Sequence, residues 1–240
     1  MNTDSRPRCA TAVYVLAALA CILTFAGCLA CGTVDIPVSD VWNVLAGGEA
    51  SKPSWTYIVA QTRVPAAFTA LLAGAALAVS GLLLQTTFDN PLAGPSILGI
   101  STGSSLGVAI VMLALGGTLG VWGHAAVLAG ALAGALAVMA VLLSLSTLLR
   151  SATMLLIAGI LIGYLASSAI SLLNFFATRE GVHAYVIWGM GSFGGVTNDV
   201  LPLFALLVTV LIAVACAYVK PLNALLLGTR YAESAGVNIK

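Results

Sequence analysis

Few residues in this 240-residue chain have the type and spacing for covalent chemistry. Gly99-Ile100-Ser101-Thr102-Gly103 fits G-x-S-x-G, the turn that presents a hydrolase serine. Such a serine needs a base within hydrogen-bond reach. The two histidines, His124 and His183, fall in or beside loops on the side of the membrane opposite Ser101, in the topology that charge dictates. An intramembrane serine hydrolase using Ser101 therefore lacks its base, and Ser101 or Thr102 is expected to serve as a helix-capping hydroxyl. Neither histidine begins H-E-x-x-H, and no lysine follows a glycine, so the chain has no Walker A loop with which to hydrolyse ATP. The five cysteines, Cys9, Cys21, Cys28, Cys31 and Cys216, show no spacing that suggests a metal site or a disulfide framework.

Two other stretches carry more information than these motifs. Gln85-Thr86-Thr87-Phe88-Asp89-Asn90-Pro91-Leu92-Ala93-Gly94-Pro95 combines two prolines, Asn and Gly, which predicts an ordered turn. Irregular backbone at membrane depth is tolerated where it is buried in protein or lines a water-filled cavity, so this turn is a candidate gate. Near the C-terminus, residues 220–237 are too short and too polar to cross a membrane. Pro221 can start a helix and Gly236 can end one. The segment reads as a short helix over 222–237 that docks on a soluble partner or lies on lipid.

The elements that must position these stretches follow from composition. Hydrophobic residues make up 60% of the chain and charged residues 7%, with a mean hydropathy of +1.09. Soluble domains carry about 25% charge, so a soluble globular fold is excluded, as is disorder. A net charge of +1 gives no footprint for nucleic acid. The charges are clustered, and the apolar gaps between them fit crossings of about 20 residues. Six spans are expected, roughly 10–31, 65–87, 99–115, 124–149, 153–175 and 200–219, with Gly116, Gly117, Gly120 and Gly123 breaking the longest gap. Long apolar runs without alternation predict helices and not barrel strands. With the N-terminus inside, Arg6, Arg8, Arg150, Lys220, Arg230 and Lys240 are cytoplasmic, and Lys52, Arg63 and Arg179 lie outside, in line with the positive-inside rule. Arg6 and Arg8 ahead of an apolar run ending Phe25-Ala26-Gly27-Cys28 also have the outline of a lipoprotein signal peptide. The membrane character of everything downstream favours a first transmembrane helix instead.

Glycine spacing speaks to packing. Gly99, Gly103 and Gly107 form overlapping G-x-x-x-G units, and Gly116/Gly120, Gly130/Gly134 and Gly159/Gly163 repeat the interval. In lipid, helices gain little from hydrophobic drive, and small residues let backbones approach for dispersion contacts. A tight helical bundle is expected.

From about residue 60 onward the chain closely resembles the FecCD-type permeases of ABC importers for iron–siderophore complexes, heme and cobalamin. The resemblance is carried in order by Arg63-Val64-Pro65, Leu72–Gly81 with Gln85, Asn90-Pro91-Leu92-Ala93 with Pro95, Ile97-Leu98-Gly99 and Gly103. It continues through Leu155–Gly159, Trp188-Gly189-Met190-Gly191-Ser192-Phe193-Gly194, and Leu227-Gly228 with Ala232 and Gly236. It implies an all-α polytopic permease that works as a homodimer or with a paralogous permease, in a bacterial cytoplasmic (inner) membrane. Its expected partners are ABC ATPase subunits and an extracytoplasmic substrate-binding protein, with ATP used by the partner and no cofactor or metal held by this chain. The resemblance assigns ATPase coupling to Gly228, Arg230, Ala232, Glu233 and Gly236. It assigns cytoplasmic gating to Asn90, Pro91 and Leu92 and to the start of the fifth span at Ala152 and Thr153, where Ala152 departs from a hydroxyl-lined pattern. Gly99, Gly103, Gly107, Gly159 and Gly163 remain as packing positions. Family members have about ten spans, so the chain is expected to match the N-terminal part of the pattern as a single permease domain, with about four C-terminal spans not represented. Another ABC permease class, for small metal ions, is the alternative within transport.

Overall fold

The computed structural model describes residues 5–114, 123–149 and 151–237. Gly116, Gly117, Gly120, Arg150 and Lys240 lie outside the described residues, and for Arg6, Arg8 and His124 only the backbone is described. All regular structure among the described residues is helical: α1 (Ser5–Ala30), α2 (Val38–Leu45), α3 (Pro53–Thr87), α4 (Ile100–Ala114), α5 (Gly123–Leu148), α6 (Ala152–Phe176), α7 (Arg179–Gly189), α8 (Leu201–Ala217), α9 (Val219–Leu225) and α10 (Thr229–Ser234).

An apolar helix stands at each of the six expected spans, but they differ in their capacity to cross. Four are long and apolar enough alone, within α1, α3, α5 and α6, whereas α8 reaches that length only together with α9, across a bend of 49°. Within the described residues α4 is a shorter apolar helix, below the length that crosses a hydrocarbon core about 30 Å thick at 1.5 Å per residue. N-terminal to α4 stands the irregular 88–99 segment, in which Ala93, Leu98 and Gly99 are buried.

The described chain forms two compact units, Met1–Ala75 with Phe193–Val210, and Ala76–Ser192 with Leu211–Lys240. In the first unit, residues between α1 and α3 fold onto the start of α3. Ile36, Val41 and Val59 form a cluster with Val44, Trp55, Ile58 and Val64 against it. Burial of a Val or Ile contributes about 1.5–3 kcal/mol where the unfolded alternative is water. The buried Asp40 fixes the returning loop by accepting from the Ser51 N–H at 2.9 Å and the Ser51 hydroxyl at 2.8 Å. In the second unit, α4 lies against α5 and α6, with a cluster of Ala93, Leu98, Val138, Leu142 and Leu156.

Candidate functional site

The predicted turn after α3 is built from its own side chains. The Asn90 side-chain oxygen accepts from the Leu92 N–H at 2.9 Å, an Asx turn that replaces a helical bond. Gln85 closes the loop by donating its side-chain amide to the Pro91 carbonyl at 3.0 Å. Asp89 adopts a positive φ of 44°, a conformation that Asp tolerates better than most residues. Ala93 and Leu98 anchor the segment in the core while Leu92 points out, 74% exposed. The segment is thus a rigid turn with an apolar tip.

Gly99 ends the turn and opens α4 with φ +75°, so a side chain there would strain the backbone. A Cβ at Gly99 would also lie 2.7 Å from the Gly159 carbonyl oxygen and 3.1 Å from the Gly163 nitrogen. Further along α4, a Cβ at Gly103 would come 2.8 Å from the Gly134 oxygen, and one at Gly107 would overlap the Gly130 carbonyl. The three glycines on one stripe of α4 thus meet two neighbours, with Gly99 on α6 and Gly103 and Gly107 on α5. A Cβ at Gly159 would lie 2.9 Å from the Leu98 Cα, so α6 touches the turn itself. Backbone meets backbone at Gly99, Gly107, Gly134 and Gly159, with the Val138 side chain also against Gly103, which leaves little room for rotamers to absorb a change.

Ser151 caps α6, its oxygen accepting from the Met154 N–H at 3.4 Å. Ala152 and Thr153 are exposed in the first turn, and Leu155 and Leu156 pack into the cluster that holds Ala93 and Leu98. The two expected gate segments are therefore rooted in one core, each with its exposed end outside it. Ser101 is exposed in the first turn of α4, and the residue at the cap position is Gly99, with no side-chain cap bond. This corrects the expectation of a Ser101 or Thr102 cap: the left-handed glycine already turns the chain into the helix. The G-x-S-x-G residues enter a helix from a turn and not from a strand, so the elbow geometry is not formed.

The C-terminal segment departs from one helix over 222–237. It is α9, a break, and α10. Gly228 has φ 103° and ψ 150°, a region open in practice to glycine alone, and this breaks the helix. At the other end Gly236 has φ +82°; its N–H bonds the Glu233 carbonyl at 3.0 Å, and the Val237 N–H bonds Ala232 at 2.9 Å. This is a Schellman motif, with glycine at the position that must be left-handed. Ala232 is fully buried. Of the five residues assigned to coupling, three thus shape the segment, and Arg230 and Glu233 are the two that present exposed side chains. Leu226, Leu227 and Tyr231 are exposed beside them, at 55%, 67% and 56%.

Sequence reasoning placed Arg63 on the outer side with no structural role, and the structure supplies one. Arg63 is buried, and its guanidinium donates to the carbonyls of Leu29 at 2.9 Å, Ala30 at 2.8 Å and Val34. It satisfies the orphan carbonyls at the C-terminal end of α1, where a cation also complements the helix dipole. A second repair follows from Pro65. α3 contains a π-helical turn over Val59–Arg63, in which Val64 N–H bonds the Val59 carbonyl. The next donor is Pro65, which has no N–H, so the Ala60 carbonyl loses its partner. Asn198 supplies it, donating to the Ala60 carbonyl at 3.2 Å and to the Gln61 side-chain oxygen at 2.7 Å. The proline within a helical run was the available signal for this second repair.

On α7, His183 is exposed, and Tyr185 stacks on Trp188 with ring centroids 6.1 Å apart. Burial pushes the Tyr185 hydroxyl above its usual pKa. Among the described residues no group of three or more His, Cys, Asp or Glu could hold a metal ion.

The sequence matches the FecCD transport family over residues 18–240. It is 35% identical over 193 residues to the vitamin B12 import system permease protein BtuC of Escherichia coli O17:K52:H18 (strain UMN026 / ExPEC), which covers 80% of this chain and 58% of that protein. Against BtuC of Salmonella paratyphi A it is 37% identical over 177 residues, covering 74% of this chain and 53% of the other. The chain thus spans little more than half the length of these relatives. Among solved structures, one described as an inward-facing conformation of a metal-chelate type ABC transporter superposes with a TM-score of 0.75 at 27% identity, over 92% of this chain and 67% of that one.

Proposed function

The chain belongs to the FecCD transport family, and on that premise we propose that it is a membrane-spanning permease subunit of an ATP-driven importer for a metal chelate. The observation that carries this reading is the C-terminal α9–α10 pair. Two glycines with fixed backbone conformations hold it in shape, while Leu226, Leu227, Arg230 and Glu233 face outward. It has the form of a docking knob for a soluble partner, and an ABC ATPase is the partner that fits this family. A substrate-binding protein on the other side of the inner membrane and a second permease subunit complete the assembly.

In this scheme ATP binding closes the ATPase dimer and displaces the α9–α10 knob. The knob belongs to the same unit as the α4–α5–α6 trio. Contacts made by backbone against backbone hold or break as a set, which suits a bundle that switches between two packings. The rigid 88–99 turn and the α6 start, rooted in one core, move with it and open or close the path. The chelate shifts this equilibrium only through its differential affinity for the two states.

Cobalamin is the first ligand to test, since the relatives are vitamin B12 permeases, with ferric siderophores and heme as competitors. Proteoliposomes containing the chain with an ABC ATPase and a binding protein are loaded with ATP and offered labelled cobalamin, a ferric siderophore or heme. ATP-dependent accumulation of one of them supports the reading. Accumulation of free divalent metal instead favours the small-ion class, and no ATP-dependent uptake of any counts against the proposal.

A further inference from the structure

Cys28 and Cys31 stand at the C-terminal end of α1, three residues apart, and both are exposed. The Cys31 N–H bonds the Gly27 carbonyl at 2.8 Å, so the helical path runs through both positions. Residues at this interval lie on one face, with Cβ atoms about 5–6 Å apart. The two residues between them, Leu29 and Ala30, are those whose carbonyls Arg63 grips. The end of the helix is therefore held in a defined geometry and does not fray. Cys31 also borders an open depression of about 410 Å³ with Ala30, Gly32, Asp35, Ile36 and Pro37, which gives a reagent access to its sulfur. Cys21 and Cys216, though exposed, have no second cysteine at such an interval.

We propose that Cys28 and Cys31 form a redox pair that closes reversibly into a disulfide at the end of α1. The oxidant is a disulfide, from a small thiol compound or a protein. Deprotonated Cys31 attacks one sulfur of the donor, forming a mixed disulfide and expelling the first donor thiolate. Cys28 then attacks the Cys31 sulfur of the mixed disulfide and expels the second. The donor leaves as two thiols carrying the two protons, and the chain has lost two electrons. Disulfide geometry brings Cβ atoms to about 3.8 Å, so closure tightens the last turn of α1, the turn that Arg63 caps. The positive-inside reading places this end outside the cytoplasm, where disulfides persist.

The test uses the full chain in membranes, exposed to oxidised glutathione and then to an alkylating reagent, with each cysteine read by peptide mass. Expected is joint protection of Cys28 and Cys31 in a single peptide lighter by two hydrogens, reversed by dithiothreitol, while Cys21 and Cys216 remain alkylated. Cys28→Ser should trap Cys31 as a stable glutathione adduct, because the resolving thiol is gone. Full alkylation of both cysteines after oxidation overturns the proposal. So does their protection only as separate adducts or as disulfides between two chains.

Discussion

The α1 end and the α4–α5–α6 trio face the same difficulty, joining helices where apolar burial gives little drive, and they meet it with opposite chemistry. At α1 a long cationic side chain reaches between helices and donates to three carbonyls at and just past the helix end. In the trio the side chains are removed, and the carbonyl of one glycine lies where the Cβ of another would be. The first contact is polar, directional and made by one residue. The second is apolar, spread over five or more glycines, and intolerant of a single added carbon. A joint of the first kind fixes an end, whereas one of the second kind can act as a switch between whole packings.

Enlarging a trio glycine should separate the two most sharply. Gly103→Leu is expected to cost about 3 kcal/mol or more through overpacking, seen as a lowered thermal midpoint by circular dichroism in detergent. Gly74→Leu on α3, where a Cβ meets nothing within 4 Å, should leave the midpoint nearly unchanged. Equal losses in both would show that the glycine contacts are not special. Next in size is Arg63→Met, expected to cost about 2 kcal/mol by leaving helix-end carbonyls without donors. Arg63→Lys should recover less than half, because an ammonium lacks the planar fork. Full recovery with lysine would reduce the arginine to a charge. A smaller effect, about 1 kcal/mol, is expected for Gly236→Ala, which forces a left-handed residue on a side chain.

The smallest effect is on pH. Burial raises the Tyr185 pKa above 10.0, so the folded state holds its proton more tightly than the unfolded chain. The stability this contributes is complete below pH 10.0 and is lost as pH rises through the folded value. Tyr185→Phe should remove that decline in alkaline melts without altering the midpoint at neutral pH. A decline that persists in the variant would assign it to other groups.

The helical class and the positions of the apolar helices were legible because charges are scarce and punctuate the chain. The 88–99 turn was legible from Asn90, Pro91 and Pro95, whose backbone preferences act locally. The role of Arg63 was not, because its three acceptors lie 29 to 34 residues away. Nor was Asn198, whose partners are 137 and 138 residues distant. The break in the coupling segment was available in Gly228, but glycine alone does not distinguish a tolerated helical position from one with φ 103°.

The central claim is that the outward face of α9–α10 receives an ATPase. Co-purification of an ABC ATPase with the chain, compared between the native sequence and Leu227→Asp or Glu233→Lys, tests it most directly. Both side chains are exposed and neither shapes the backbone, so helix content should not change. Retention of the ATPase should fall on the order of tenfold or more, about 1.4 kcal/mol of binding. Undiminished retention by both variants, or an ATPase that the native chain never holds, would contradict the account.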